Sequence, residues 1–430
     1  MQNMEQLNQN NNALRKLISN LNNNYVHWDK FKDMQIPEPD YRMDIWAKVL
    51  AEREQGFYRR LSFPSLEIKW WISNSLEAQL HKLDIGLAGG RDLQVLLEPK
   101  HIHRHKTNAL LDESIASAQL AGVTVSKKAA KEMLLKKRAP QDINEQVCVN
   151  IYRALQLAYS GKEENLSVDL LFQLHQTLTR DTIKLKGIGK YRTNNKVDLS
   201  AVDAAAGYKP VDVIDIPPIV EQLAALYNND SEPYFIHPLV KACLIHYIIT
   251  TARPFKDGNG RLARLLAQMY LLKKGYWVTE FIAVSNIVSK FRPQYHKTFS
   301  QAQTDDNNAG YFIQFYIQSL QMAFKSLRDF ALRISKEKIE KPAQKIPGYN
   351  ERQTTVLEWL KEDGAKVVTI RELRSVYGVS KETARTDLTA LVEKGWIKYY
   401  HINKKTYAFV KDDGFDELLT NIQALQSAAT

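Results

Sequence analysis

Along most of the chain, apolar positions recur at three- and four-residue steps. This predicts helices over 145–159, 166–178, 217–228, 238–250, 259–274 and 309–335. One stretch breaks the pattern: "GIGKYRTNNKVDLSAVDAAAGYKPVDVIDIPP", residues 187–218, holds Gly187, Gly189, two short β-prone pieces and the pair Pro217–Pro218. It predicts an extended β-hairpin set on a helical body. The opening "MQNMEQLNQNNNALRKLISNLNNN" is rich in Asn, which competes for backbone hydrogen bonds, and predicts a disordered or loosely helical lead-in. From Tyr25, aromatics and leucines at helical spacing, broken by Pro37 and Pro39, predict a mostly helical N-terminal region to about residue 100.

At the other end, "SKEKIEKPAQKIPGYNERQ" reads as a charged linker. Residues 345–412 then show three helical patterns followed by alternating positions around a Lys-rich turn. Thr369 is placed to cap a helix ending at Tyr377, Gly378 to make the turn, and Ser380 to cap a helix that Gly395 stops. Two helices joined by a tight glycine turn and followed by a two-stranded wing describe a winged helix-turn-helix, leaving 413–430 as a tail. The fold class expected is mainly α, a helical bundle with a β-hairpin flap between an N-terminal helical region and this C-terminal unit.

Composition narrows the setting. At 430 residues, 44% hydrophobic and 25% charged, the chain is a globular protein of two or three domains. The longest apolar run, "ACLIHYIITTA", is too short to span a membrane and contains His246. No charged-then-apolar leader opens the sequence, and Cys148 and Cys243 lie far apart, with no metal-ligand spacing and no disulfide framework. A cytoplasmic location without membrane contact is expected. The net charge of +11 favours phosphate-bearing partners.

The chemistry concentrates in "ARPFKDGNGRLARLL", residues 252–266. Gly258 and Gly260 permit backbone conformations that a Cβ forbids and a close approach to a ligand. The turn feeds a helix from about Asn259, whose unpaired N–H groups and partial positive charge attract anions. Arg261 and Arg264, three apart, share one face and would grip a polyphosphate bidentately. Asp257 is a hard oxygen ligand suited to Mg²⁺ bridging the same phosphates, and Phe255 anchors the loop in the core. His237, before Pro238 with no glycine loop after it, reads as structural, and His246, mid-helix, as a core histidine.

The string "RPFKDGNGRLAR" resembles the Fic (Fido) family motif HPFx[DE]GNGRxxR at every defined position but the first. The resemblance extends over roughly residues 100–330, with "GKYRTNN" similar to the family's substrate-positioning flap and "ESIASAQLAGVTVSKKAAKEML" similar to its inhibitory helix. The resemblance implies transfer of AMP from ATP to a target hydroxyl. Asp257 would hold Mg²⁺, and Gly258, Asn259 and Gly260 would form the anion loop. Arg261 and Arg264 would neutralise the β- and γ-phosphates. The flap, with Tyr191, Arg192, Thr193 and Asn194 and reaching Leu199, would dock an extended target segment through main-chain bonds. Pairing into a homodimer is also implied.

Two departures change this picture. The family's first motif residue is a histidine that deprotonates the attacking hydroxyl, and Arg253 stands in its place. A guanidinium stays protonated and cannot act as a base; losing general-base assistance costs ~10²–10⁴-fold. The inhibitory signature [ST]xxxEG reads "SAQLAG": Ser117 and Gly122 are in place, but Ala121 replaces the glutamate. Base and brake are both missing, which implies a nucleotide-binding protein with weak or no transferase activity.

The alternative reading is a DNA-binding regulator, with the central domain as sensor or partner-binding module. Lys381, Thr383, Arg385 and Thr386 are the candidate groove-facing residues. Lys398, Lys404 and Lys405, beside Tyr400 and Tyr407, are the candidate phosphate contacts of the wing. Glu382 and Asp387 give the recognition helix mixed charge.

Overall fold

The computed structural model describes residues 2–427 apart from 38, 56–57, 90–98, 137, 184–186, 198–209, 231–233, 341–345, 347, 363, 365 and 404–405. The chain forms two compact units, Met1–Leu93 with His105–Arg328, and Gln94–Arg104 with Asp329–Thr430.

The first unit opens with α1 (Gln2–Asn23). The Asn-rich lead-in is therefore helical, the second of the two alternatives expected of it, and not disordered. Ile18 and Leu21 bury against Val26, Phe31, Ile45 and Val49, and Asn22 bridges Glu52 and Arg53 of α2 (Arg42–Gln55). Burial outweighs the poor helix propensity of asparagine. Next comes an antiparallel hairpin, β1 (Arg59–Phe63) and β2 (Leu66–Trp70), registered Leu61↔Ile68. It corrects the reading of this region as helical. Leu61, Phe63, Leu66, Ile68 and Trp70 are all buried, so the two-residue period of a half-buried sheet is present in the sequence.

The helices α3 (Asn74–Leu87), α4 (Pro99–Leu120), α5 (Lys127–Lys136), α6 (Ile143–Ser160), α7 (Val168–Thr179) and α8 (Ile216–Asn228) follow. Ser73, Asp142 and Ser167 cap α3, α6 and α7 through side-chain oxygens. At the centre lie α9 (Pro238–Ala252) and α10 (Asn259–Lys273), packed on each other, with α6 and α7 against α10 and α8 against α9. Nearly every position of both is buried, so neither shows the polar stripe of a surface helix. The unit continues through α11 (Val284–Lys290), α12 (Arg292–Thr304) and, as far as Arg328, α13 (Gly310–Glu340). Cys148 and Cys243 are buried free thiols, as small apolar residues would be.

The hairpin expected over 187–218 is not seen among the described residues. Residues 187–197 and 210–212 form turns and irregular chain, Val213–Asp215 a 3₁₀ turn, and 198–209, with Leu199, lie outside the described residues. Gly189 turns at φ 61°, and Pro217 and Pro218 open α8 in its first turn.

The second unit holds α14 (Glu351–Glu362), α15 (Ile370–Tyr377), α16 (Lys381–Glu393), β3 (Ile397–Asn403) and β4 (Thr406–Lys411). Thr369 and Ser380 accept the backbone N–H groups of Glu372 and Thr383, and Gly378 turns at φ 63°. The strands pair antiparallel, Ile397 opposite Lys411. The tail expected at 413–430 instead carries α17 (Phe415–Ser427). Its Phe415 is fully buried and meets Trp396 edge-on at 5.2 Å, so the helix completes the core with Val356, Leu360 and Leu391.

Candidate functional site

The site is built on the six-residue connection between α9 and α10. Arg253 ends α9 in a left-handed conformation, φ 46° and ψ 63°, its N–H bonded to the Ile249 carbonyl at 3.1 Å. That conformation costs a non-glycine residue about 1 kcal/mol. Asn259 closes the loop: its Nδ2 donates to the Phe255 carbonyl at 2.7 Å, and its Oδ1 accepts the Phe255 N–H at 3.0 Å. Phe255 itself is fully buried, as an anchor would be. Gly258 has φ 85°, and a Cβ there would lie 2.9 Å from Thr179 Cγ2. Conformation and space both require glycine. The N–H groups of the first turn of α10 therefore open beside this loop.

Two guanidiniums flank that helix start. Arg261, 5% exposed, meets Asp257 Oδ2 at 2.6 Å and donates to the Leu178 carbonyl at 3.2 Å. Arg264, 6% exposed, donates through Nε to Ser117 Oγ and through Nη2 to the Ser117 carbonyl, both at 2.9 Å. Both acceptors are neutral, so the cation's charge is not cancelled by this contact. Gly260 lies beside Arg264, a Cβ there falling 3.4 Å from Nη1.

Ser117 comes from the last turn of α4. The helix finishes with Gly122 at φ 91°, the Val123 N–H on the Ala118 carbonyl and the Gly122 N–H on that of Gln119. This paired arrangement is the one a helix-ending glycine makes. Ala121 is exposed while Ser117 is buried. The helix thus still grips Arg264 with no acid at 121, its partly negative C-terminus facing the cation. Losing the glutamate therefore does not remove the contact of this helix with Arg264. One turn before Ser117, Glu113 is buried and accepts from the Ser285 N–H at 2.9 Å and from the Ser285 hydroxyl. Burial pushes its carboxyl above the usual range, against those bonds and the nearby Arg264.

The segment 189–195 packs against the other side of the loop. Arg192 is buried. Its N–H bonds the Pro254 carbonyl at 2.9 Å, its Nε the Arg253 carbonyl at 2.9 Å, and its Nη1 the Asn194 carbonyl at 2.9 Å. Its Nη2 reaches the Val211 carbonyl. Tyr191 lies 6.0 Å from Phe255, centroid to centroid, with its hydroxyl pKa pushed up to about 12 by burial. Thr193 and Asn194 are exposed. Arg192, expected in a docking flap, therefore holds the loop, while its neighbours face outward.

Sequence reasoning missed His175. It is fully buried on α7 and stacks on Phe255 at 3.8 Å with 9° between planes. Its Nε2 lies 2.9 Å from the Asp257 carbonyl and its Nδ1 3.1 Å from the Gly189 N–H. Burial pushes its pKa down to about 4. Both nitrogens are engaged, so this ring offers no substitute base. His246 is buried against Tyr295 and Phe312. His237 caps α9 and meets Asp84 at 3.0 Å. Both are structural, as expected.

Asp257 is more than half exposed, 56% at the side chain. Mg²⁺ keeps several waters and takes one or two protein carboxylates together with phosphate oxygens. Among the described residues no group of three His, Cys, Asp or Glu assembles. The donor set fits an ion that arrives with phosphates, held by Asp257.

In the second unit, Lys381, Arg385 and Thr386 are exposed on α16. Thr383 is half-buried, within 2.9 Å of the Ser380 hydroxyl, and so belongs to the cap. Asp387 is buried and held by Arg352 Nε at 2.5 Å and Asn350 Nδ2 at 2.7 Å. The mixed charge read from the sequence is therefore reduced on the exposed face. Lys398 pairs with Asp413 at 2.8 Å. Lys404 and Lys405 lie outside the described residues. Residues 346–430 hold twelve Lys/Arg and twelve Asp/Glu, so the net +11 belongs wholly to residues 1–345.

Residues 165–271 match the Fic/DOC family model, and residues 352–401 a DeoR-like helix-turn-helix domain. The protein adenylyltransferase Fic of Nematostella vectensis is 31% identical over 122 residues, 27% of this chain and 25% of that protein. A probable protein adenylyltransferase of Aquifex aeolicus is 24% identical over 182 residues, 42% of this chain and 53% of that protein. The matches thus span between a quarter and about half of these relatives. A solved structure of Fic-1 from C. elegans shares the fold, with a TM-score of 0.50 and 14% identity, covering 78% of this chain and 87% of that one. Among the described residues no helix is long and apolar enough to cross a membrane.

Proposed function

We propose that this chain, a member of the Fic/DOC family by its central domain and carrying a DeoR-like helix-turn-helix domain, binds ATP with Mg²⁺ and transfers AMP weakly or not at all. The observation that carries this reading is the pair of buried arginines at the start of α10, of which, among the described residues, Arg261 forms an ion pair with a carboxylate while Arg264 is held by the Ser117 hydroxyl and carbonyl. A buried guanidinium hydrogen-bonded to a hydroxyl and a carbonyl keeps its charge for an anion. The helix N-terminus adds its N–H groups. Arg261 would release Asp257 to phosphate-borne Mg²⁺ and turn to phosphate oxygens itself. Mg²⁺, when bound, would supply charge neutralisation for the phosphates.

The transfer step needs a group that takes the proton of the attacking hydroxyl. Arg253 cannot take it, and His175 has both nitrogens engaged. This supports a nucleotide holder over an efficient transferase. The target protein would dock beside Thr193 and Asn194. The test is transfer of α-labelled AMP from ATP, to the chain itself or to other proteins, with the natural sequence beside Arg253→His. Labelling by the histidine variant alone is expected, and equal labelling by both would defeat the impaired-base reading.

A second reading, DNA binding through the winged helix in a cytoplasmic regulator, is favoured by the withdrawal of Asp387 from the exposed face of α16. The absence of any gel shift with random duplex at low salt would remove it. Homodimerisation, checked by sedimentation, is compatible with either.

A further inference from the structure

We propose that His175 is a positioning residue that joins the anion loop to the base of the flap, so that nucleotide binding and flap occupancy are coupled. This rests on the nucleotide-binding reading above. Each ring nitrogen faces a group with a single role. The Asp257 carbonyl can only accept, so Nε2 carries the proton, and the Gly189 N–H can only donate, so Nδ1 keeps its lone pair. One neutral tautomer is therefore selected. The ring cannot swing away. It is fully buried and lies flat on Phe255, and its backbone is tied in turn, the Thr179 hydroxyl donating to the His175 carbonyl at 2.7 Å.

Arg192 adds a second tie between the same two segments through the carbonyls of Arg253 and Pro254. The carbonyls of residues 253, 254 and 257 are thus all held by 189–192 or by the ring that 189 holds. A phosphate that settles residues 257–260 settles the flap base with them. By reciprocity, a peptide that orders the flap tightens the nucleotide.

The test is amide hydrogen exchange on the full chain, with and without Mg-ATP. His175→Phe keeps the stacking and removes both ring hydrogen bonds. In the ligand-free protein it is expected to speed exchange about fivefold to tenfold in 187–195 and 254–260 together, leaving 168–172 unchanged. His175→Gln, which offers one donor and one acceptor, should recover part of the protection and serves if the phenylalanine variant folds poorly. Mg-ATP should protect both segments in the natural chain and only 254–260 in His175→Phe. Unchanged exchange at 187–195, acceleration throughout α7, or equal protection of both segments in the variant overturns the proposal. If Mg-ATP protects nothing in the natural chain while the ligand-free pattern holds, the nucleotide reading fails and the mechanical link stands.

Discussion

Arg253 and Ser117 both restrain the site, one in the loop and the other through Arg264. Arg253→His would install a group whose pKa suits proton abstraction, and AMP labelling should rise by ~10²-fold or more. Ser117→Ala removes the hydroxyl that shares Arg264 and leaves only the carbonyl. Mg-ATP should then bind about twofold to fivefold more tightly by calorimetry, because the guanidinium gives up less on meeting a phosphate. Weaker binding would show instead that Ser117 supports the arginine in its ligand-ready pose. The loop glycines, Asp257 and both arginines were legible because they are neighbours in sequence and their chemistry needs that spacing. His175 was not, since its partner Asp257 lies 82 residues away and a lone histidine on an amphipathic helix carries no local signal.

Among the elements, helix ends matter most. Gly122 terminates α4 at φ 91° with nothing within 4 Å of where a Cβ would sit, so Gly122→Ala meets conformational strain without a clash. It should cost about 1 kcal/mol, read as a lower denaturation midpoint, and loosen Ser117 from Arg264. Caps such as Thr369 and Ser380 were legible because a short polar side chain before an apolar period has one common use. The β1–β2 hairpin was not. Pro64 and Ser65 sit between alternating apolar residues, but the aromatics and leucines on both sides mimic a helical period. The Asn-rich α1 could be read only as disordered or loosely helical, because its stability comes from Ile18 and Leu21 meeting distant partners.

Across the whole molecule, charge and protonation divide unevenly. With residues 346–430 electrically neutral, DNA binding by the winged helix would rest on a few cations such as Lys381 and Arg385. The slope of log affinity against log salt should be about −3 to −4; a much steeper slope would mean that the basic first unit also touches DNA. Acid should weaken the core. Burial holds His246 well below its usual 6.5, so the unfolded chain takes up a proton near that pH that the native ring refuses. Its contribution is complete above about pH 6.5 and is lost as pH falls below it. His246→Phe should flatten the acid side of a melting-temperature profile. A last consequence concerns rates, and comes from Asn259. Because its amide already fastens Phe255 from both sides, the path from 255 to 259 is set during folding, and what a nucleotide still has to change is the hold of Asp257 on Arg261 and of Ser117 on Arg264. Association in stopped flow should then show a step that follows encounter, its observed rate levelling off at high nucleotide concentration.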